Sequence, residues 1–125
     1  MTTGEDDMTL EECYAQMGGD LGAALRVMES GTRLMRYLLR FLDEPTARML
    51  FLALEDARWK DALRAAHTMK GLCRGLGLAR LHDACCALAD ELRDGAAPED
   101  AAVIAEVHEA YDAVTRAVRA LGDGA

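Results

Sequence analysis

The sequence predicts an all-α fold, an antiparallel up-down four-helix bundle with additional short N-terminal helices. Three observations support this prediction. Alanine, leucine, glutamate and arginine dominate the 125 residues, and these residue types favour helix. Only two prolines are present to interrupt helices. No alternating run of β-branched residues is long enough to predict a strand.

The first three predicted helices are short. Thr9 begins a capping-box pattern that predicts a helix ending at Gly18. Asp20 can cap a second helix, which should break near Ser30. A third helix should run over residues 32–43, with apolar side chains at core spacing. These side chains are Leu34, Tyr37, Leu38, Phe41 and Leu42.

Four further helices are predicted after the first three. Pro45 suits the first turn of the fourth helix. A fifth helix should run over residues 59–76 and stop at the glycines that follow, and a sixth should span residues 79–93. Pro98 should begin a long last helix that continues to Leu121. Short connections favour antiparallel neighbours, so four helices should form the bundle while the N-terminal ones cover one end.

Length and hydropathy indicate one globular domain of 125 residues. We expect a flexible N-terminus over residues 1–8, a helical bundle domain over residues 9–122 and a flexible C-terminus over residues 123–125. No apolar run approaches the roughly 18 residues that a membrane span requires, and the N-terminus does not resemble a signal peptide. A cytoplasmic monomer without membrane contact is expected, with its four cysteines reduced.

The charge is acidic overall but unevenly distributed. A net charge of −8 argues against nucleic acid as a partner, because its phosphates would repel the chain. Between Arg58 and Arg80, however, six basic residues accompany a single acidic one, Asp61, so this segment carries +5. A local cationic face suits a phosphorylated or acidic partner. The alternative is an ordinary solvated basic face of a helix.

The stretch over residues 67–77 contains the candidate functional site. At about 100° per residue, His67 lies at the edge of the apolar arc of the fifth helix. Lys70 and Arg74 lie within about 60° of it, and Gly71 follows one turn later. The helix therefore presents an imidazole at the rim of the core, with cations alongside and no side chain above it. A histidine that accepts and holds a phosphoryl group needs this combination.

These residues resemble the signature of the histidine-containing phosphotransfer (HPt) domain of bacterial two-component phosphorelays. The resemblance consists of H-x-x-K-G followed by L-G-x-x-x-L, formed by His67, Lys70, Gly71, Leu76, Gly77 and Leu81. It continues in matching order from about Leu10 to Leu121. The further matching stretches are residues 17–20, 41–42, 54–55 and 65–66.

The resemblance implies a phosphorelay intermediate. Such a protein would reversibly accept a phosphoryl group on His67 from an aspartyl-phosphate receiver domain and pass it to another receiver. The implied partners are response-regulator receiver domains and a sensor or hybrid histidine kinase. The chain would be a covalent phosphohistidine carrier and not an enzyme, with no kinase activity of its own. It would bind no cofactor, because the receiver would supply the Mg²⁺.

The resemblance also suggests roles for neighbouring residues. The ammonium of Lys70 can neutralise phosphate oxygens. Gly71 would leave room for a partner, although close helix packing could also explain a glycine that costs about 0.5–1 kcal/mol in a helix. Arg64 and Arg74 are candidate contacts for the partner, or ordinary surface arginines.

One position departs from part of the family. Some HPt domains place a glutamate or glutamine on the following helix, where it hydrogen-bonds the histidine. By spacing, that position is Ala89 here, and the nearest acidic residue is Asp90. Backbone or water would then satisfy the second ring nitrogen of His67.

Two other functions fit parts of the sequence. One is an interaction module that binds a receiver without being phosphorylated, and the intact set of His67, Lys70 and Gly71 counts against it. The other is a metal-binding helical bundle, because His82 and Cys85 have a credible ligand spacing on one helix. No second pair completes four ligands, so no metal site is predicted.

Overall fold

The computed structural model describes residues 8–124, and this part of the chain contains seven α-helices and no strand. The predicted all-α class is confirmed. The helices are α1 (Leu10–Met17), α2 (Leu21–Met28), α3 (Gly31–Phe41), α4 (Thr46–Glu55), α5 (Trp59–Leu76), α6 (Ala79–Glu91) and α7 (Ala102–Gly124). None of these helices is long and apolar enough to cross a membrane.

The described residues include only part of the predicted flexible ends that flank the bundle domain. Residues 1–7 and 125, which the prediction assigns to the flexible ends, lie outside them. Within them, Met8 precedes α1, and α7 continues through residue 124. The boundaries at residues 9 and 122 stay a prediction.

Side-chain caps fix the starts of the three N-terminal helices. The Thr9 hydroxyl accepts a hydrogen bond from the Glu12 N–H at 3.0 Å, and the Glu12 carboxylate accepts one from the Thr9 N–H at 2.9 Å. Asp20 and Ser30 cap α2 and α3, each by accepting a bond from the N–H three residues later. These groups satisfy N–H donors that a helix start leaves unpaired. The predicted starts of the first two helices are confirmed.

The last helix starts later than the sequence predicts, at Ala102 and not at Pro98. The Glu91 carboxylate, at the end of α6, accepts hydrogen bonds from the N–H groups of Glu99 at 2.8 Å and Asp100 at 3.0 Å. The Asp100 carboxylate in turn accepts one from the Ala102 N–H at 2.9 Å. These bonds hold residues 99–101 in a loop that precedes the helix. Helix α6 ends at Glu91, two residues before its predicted end.

α5 lies centrally in the molecule and packs against α2, α3, α4 and α6. α6 also packs against α7, and α7 packs against α1 and α3, so the helices share one hydrophobic core. Aromatic contacts join α4 to α7, where Phe51 stacks on His108 at a ring distance of 4.1 Å and meets the edge of Tyr111 at 5.5 Å.

The turn between α1 and α2, residues 18–20, lies against the C-terminal end of α5, and hydrogen bonds connect the two. We call this turn, with the adjoining helix ends, the N-terminal joint. The Tyr14 hydroxyl donates a hydrogen bond to the Leu76 carbonyl at 2.7 Å. The Asp20 N–H donates a hydrogen bond to the Gly77 carbonyl at 2.8 Å, and the Arg80 N–H donates one to the Gly18 carbonyl at 3.1 Å. The short N-terminal helices therefore anchor the end of α5 and do more than cover the bundle.

Candidate functional site

All five predicted site residues lie on α5, whose bounds match the predicted helix. His67 is exposed near the middle of this helix, while its neighbours Ala66 and Met69 are buried in the core. The helix ends where Gly77 adopts a left-handed conformation with φ of 65°. The N–H of Leu78 then bonds back to a carbonyl of the last turn at 3.0 Å, a common helix ending.

The ring of His67 is open to a partner. Within residues 8–124, no hydrogen bond or ion pair engages its nitrogens. Ala89, on the adjacent helix α6, is buried and has no polar side chain to offer. Asp90 is exposed and pairs with Arg93 at 3.2 Å. Neither residue therefore holds the imidazole.

Lys70 and Gly71 lie on opposite sides of His67. Lys70 is half-buried. Burial, with a smaller contribution from the nearby Cys86, raises the pKa of the Cys85 thiol on α6 to about 12, whereas the positive charge of Lys70 acts in the opposite direction. The ammonium is thus close to α6. Gly71 lies on the side of α3, where it lines a cleft.

Helix packing does not require Gly71. A Cβ atom placed at Gly71 would meet nothing within 4 Å, and the same is true at Gly75, one turn later. Each glycine costs about 0.5–1 kcal/mol relative to alanine inside a helix. No packing contact in the described chain explains this cost, and the space above Gly71 beside His67 is open.

The cleft beside Gly71 has a volume of about 400 Å³ and lies between α5, α3 and the end of α2. We call it the Gly71 cleft. Tyr37 and Arg40 of α3 line it opposite Gly71 and Gly75. Apolar spacing predicts a core position for Tyr37, and this prediction is wrong, because 40% of its surface is exposed. The Arg40 guanidinium lies over this exposed ring, 5.4 Å from its centroid.

The cationic face of α5 is smaller than its sequence suggests. Arg58 and Arg64 both pair with Asp61, at 2.9 Å and 3.0 Å. Arg80 forms two hydrogen bonds with Glu106 of α7, at 2.9 Å and 3.0 Å, which lower the pKa of that carboxyl. The basic residues of the segment that form no ion pair within residues 8–124 are Lys60, Lys70 and Arg74.

The cysteines and His82 do not assemble a metal site in the described chain. The His82 ring contacts the Cys86 sulfur at 3.8 Å and the Asp83 carboxylate at 3.2 Å. Cys85, the predicted pairing candidate, is fully buried, as are Cys13 and Cys73. Among residues 8–124, no group of three or more potential ligands is arranged to hold a metal ion.

Sequence reasoning missed a second group of exposed residues beside the site. Arg33, Arg36 and Arg40 lie on the exposed face of α3, and α3 contains no acidic residue. None of the three forms an ion pair with another described residue. The signal was present in the sequence as R-x-x-R-Y-x-x-R. Apolar spacing assigns Tyr37, in the middle of this pattern, to the core, which hides the exposed face.

Comparisons with known proteins identify the family. The sequence profile of the Hpt domain matches residues 33–117, from α3 into α7, which is more than half of the chain and includes every predicted site residue. No curated protein and no solved structure matches the chain. Hpt domains transfer phosphoryl groups through a histidine in phosphorelays, with receiver domains and histidine kinases as partners. The chain therefore belongs to the Hpt domain family, the histidine phosphotransfer domains of two-component signalling.

Proposed function

We propose that His67 is the phosphorylated residue and that it reversibly carries a phosphoryl group from one receiver domain to another. The observation that supports this choice is the contrast between the three histidines. His82 is half-buried against Cys86, and His108 is stacked on Phe51. His67 is exposed on α5, and no described side chain holds its ring.

The proposed reaction is a direct transfer between side chains. A neutral ring nitrogen of His67, proposed to be Nε2, attacks the phosphorus of the receiver's aspartyl phosphate while Nδ1 keeps its proton. The P–N bond forms as the P–O bond to aspartate breaks, and the carboxylate leaves with the bonding electrons. The reverse steps deliver the group to a second receiver. Positioning and charge neutralisation carry most of the catalysis in phosphoryl transfer.

Neighbouring residues would assist this transfer. The ammonium of Lys70 would neutralise the phosphate oxygens, Gly71 would admit the receiver, and Arg64 and Arg74 would contact it. Arg64 would have to exchange its ion pair with Asp61 for a contact with the partner. The receiver would supply the Mg²⁺, and this chain would bind no cofactor of its own.

We further propose that the chain is a carrier without kinase activity, which works as a cytoplasmic monomer with a sensor or hybrid kinase at the start of the relay.

The proposed architecture is an antiparallel up-down bundle of α4 to α7. The connection of only two residues between α5 and α6 supports this arrangement, because helices joined so closely and packed together run in opposite directions.

Phosphoryl uptake tests the proposal. Receiver domains from the genome that encodes this chain are phosphorylated with acetyl phosphate and Mg²⁺, purified, and mixed with the protein. Intact-mass analysis should show the gain of one phosphoryl group, and a second receiver should remove it. Binding to a receiver without any mass gain would instead support the interaction module that was the alternative prediction.

Lys70 should matter for the rate of transfer and little for stability. Replacing Lys70 with alanine should slow uptake by roughly tenfold, because a cation that faces the phosphate is lost. The free energy of unfolding should change by no more than about 0.5 kcal/mol. Lys60→Ala is the matched control, since Lys60 is an exposed lysine on the same helix. A large loss of stability with normal uptake would show that Lys70 is structural.

A further inference from the structure

α3 carries an exposed cationic surface that the proposed reaction does not use. Arg33, Arg36, Tyr37 and Arg40 are all exposed, and at about 100° per residue they lie within one arc of roughly 100°. We call this surface the α3 stripe. Its arginines form no ion pair within residues 8–124. The whole chain carries a net charge of −8, so the α3 stripe is a local concentration of positive charge on an acidic protein.

The α3 stripe is continuous with the face that carries His67. Its C-terminal residues, Tyr37 and Arg40, line the Gly71 cleft together with Gly71 and Gly75. Gly71 lies one helical turn after His67. A partner that covers His67 from the side of Gly71 would therefore meet Tyr37 and Arg40 next, and then the two remaining arginines of the stripe.

The chemistry of the stripe indicates which partner fits. Arginine forms paired hydrogen bonds with carboxylates, and an exposed tyrosine is a common anchor in protein interfaces. A membrane surface fits less well, since an amphipathic helix that lies in a bilayer inserts its apolar face. The apolar face of α3 is not available, because Leu34, Leu38 and Phe41 are buried in the core.

We propose that the α3 stripe is the electrostatic docking surface for the carboxylate-rich surface of the receiver around its phosphorylated aspartate. The receiver concerned is the one that exchanges a phosphoryl group with His67, so the inference rests on the proposed function. Tyr37 would pack against an apolar side chain of the receiver at the Gly71 cleft. Arg33 and Arg36 would attract the receiver from a distance and orient it, which raises the rate of association at low salt.

A charge reversal with a matched control tests the docking surface. The test variant is Arg33→Glu with Arg36→Glu, two residues that do not line the cleft. The control is Arg116→Glu with Arg119→Glu on α7, which reverses two exposed arginines at the same spacing and gives the same net charge. Each variant is mixed with the phosphorylated receiver that reacts with the wild type, and the second-order rate of uptake is measured at low and high salt.

The test variant should react at least tenfold more slowly than the wild type at low salt, and the difference should shrink as salt screens the charges. The control should stay within about twofold of the wild type. If both variants are slowed equally, only the net charge of the protein matters. If neither variant is slowed, the α3 stripe is not a docking surface. Both results would overturn the inference. Circular dichroism checks folding, and Arg33→Gln with Arg36→Gln replaces the test variant if it unfolds.

Two further measurements distinguish a failure of the docking surface from a failure of the proposed phosphoryl transfer. Binding of the wild type and both variants to the unphosphorylated receiver is measured by calorimetry, so docking is tested even if no label reaches His67. Absence of label in the wild type would contradict the proposed function, whereas equal binding by both variants would contradict the docking surface. Vesicles that contain phosphatidylserine provide the last comparison. Vesicle binding that depends on the α3 stripe, with receiver binding unchanged, would also overturn the inference.

Discussion

Replacing Gly71 with glutamine should leave the bundle folded and should slow phosphoryl transfer about a hundredfold, the loss expected when reacting groups are displaced by roughly an ångström. The position has open space where a Cβ would lie. A glutamine there should even stabilise the helix by about 0.5–1 kcal/mol, because it removes the entropic cost of glycine. The same side chain would project beside His67 and obstruct the receiver.

Both properties are measured on one sample, stability by urea unfolding and transfer by rapid mixing with the phosphorylated receiver. Gly22→Gln is the matched control, since Gly22 is an exposed glycine on α2 with room for a side chain. The control should transfer at the wild-type rate. If Gly71→Gln unfolds the protein, the glycine has a structural role after all. If it folds and transfers normally, the receiver docks elsewhere.

Replacing Gly77 with alanine should destabilise the protein by about 3 kcal/mol. Gly77 has φ of 65°, a left-handed conformation that costs other residues roughly 1–2 kcal/mol. A Cβ there would lie 2.5 Å from the Asp20 carbonyl oxygen and 3.0 Å from the Ala24 Cβ. Relief of this overlap would disturb the N-terminal joint, and overpacking typically costs a further 1–3 kcal/mol.

Gly75→Ala is the control for this prediction. It is the same substitution two residues earlier, inside α5, with nothing within 4 Å of the added atom. It should raise the free energy of unfolding by about 0.5–1 kcal/mol. Urea unfolding of the two variants should therefore shift the midpoint in opposite directions. Equal stability of the two would show that the N-terminal joint does not hold the end of α5.

Local signals in the sequence were sufficient for most of the helices and for the position of the candidate site. A capping box, one further capping side chain and a C-terminal glycine each act within a few residues, so Thr9, Asp20 and Gly77 could be assigned without a structure. The periodicity of α5 places His67 at the edge of the apolar arc, because core positions recur every three to four residues along a helix, and in the structure its side chain is exposed.

Interactions between residues distant in the sequence could not be predicted in this way. The basic segment that predicts a cationic face includes Arg80, but Glu106, on another helix, forms an ion pair with it. Apolar spacing assigns Tyr37 to the core, whereas the packing of α3 against the other helices leaves 40% of its surface exposed. The start of α7 depends on Glu91, which binds the backbone of the preceding loop. Each outcome depends on how the helices pack, which periodicity does not encode.

The location of the phosphoryl group tests the central claim most directly. After reaction with a phosphorylated receiver, the wild type is digested at neutral to basic pH, where phosphohistidine persists, and the modified peptide is sequenced by mass spectrometry. His67→Gln is treated in parallel, and it should fold normally because residue 67 is exposed. The account predicts one phosphoryl group on His67 in the wild type and none in the variant. Label on His82 or His108, or an undiminished label in His67→Gln, would contradict it.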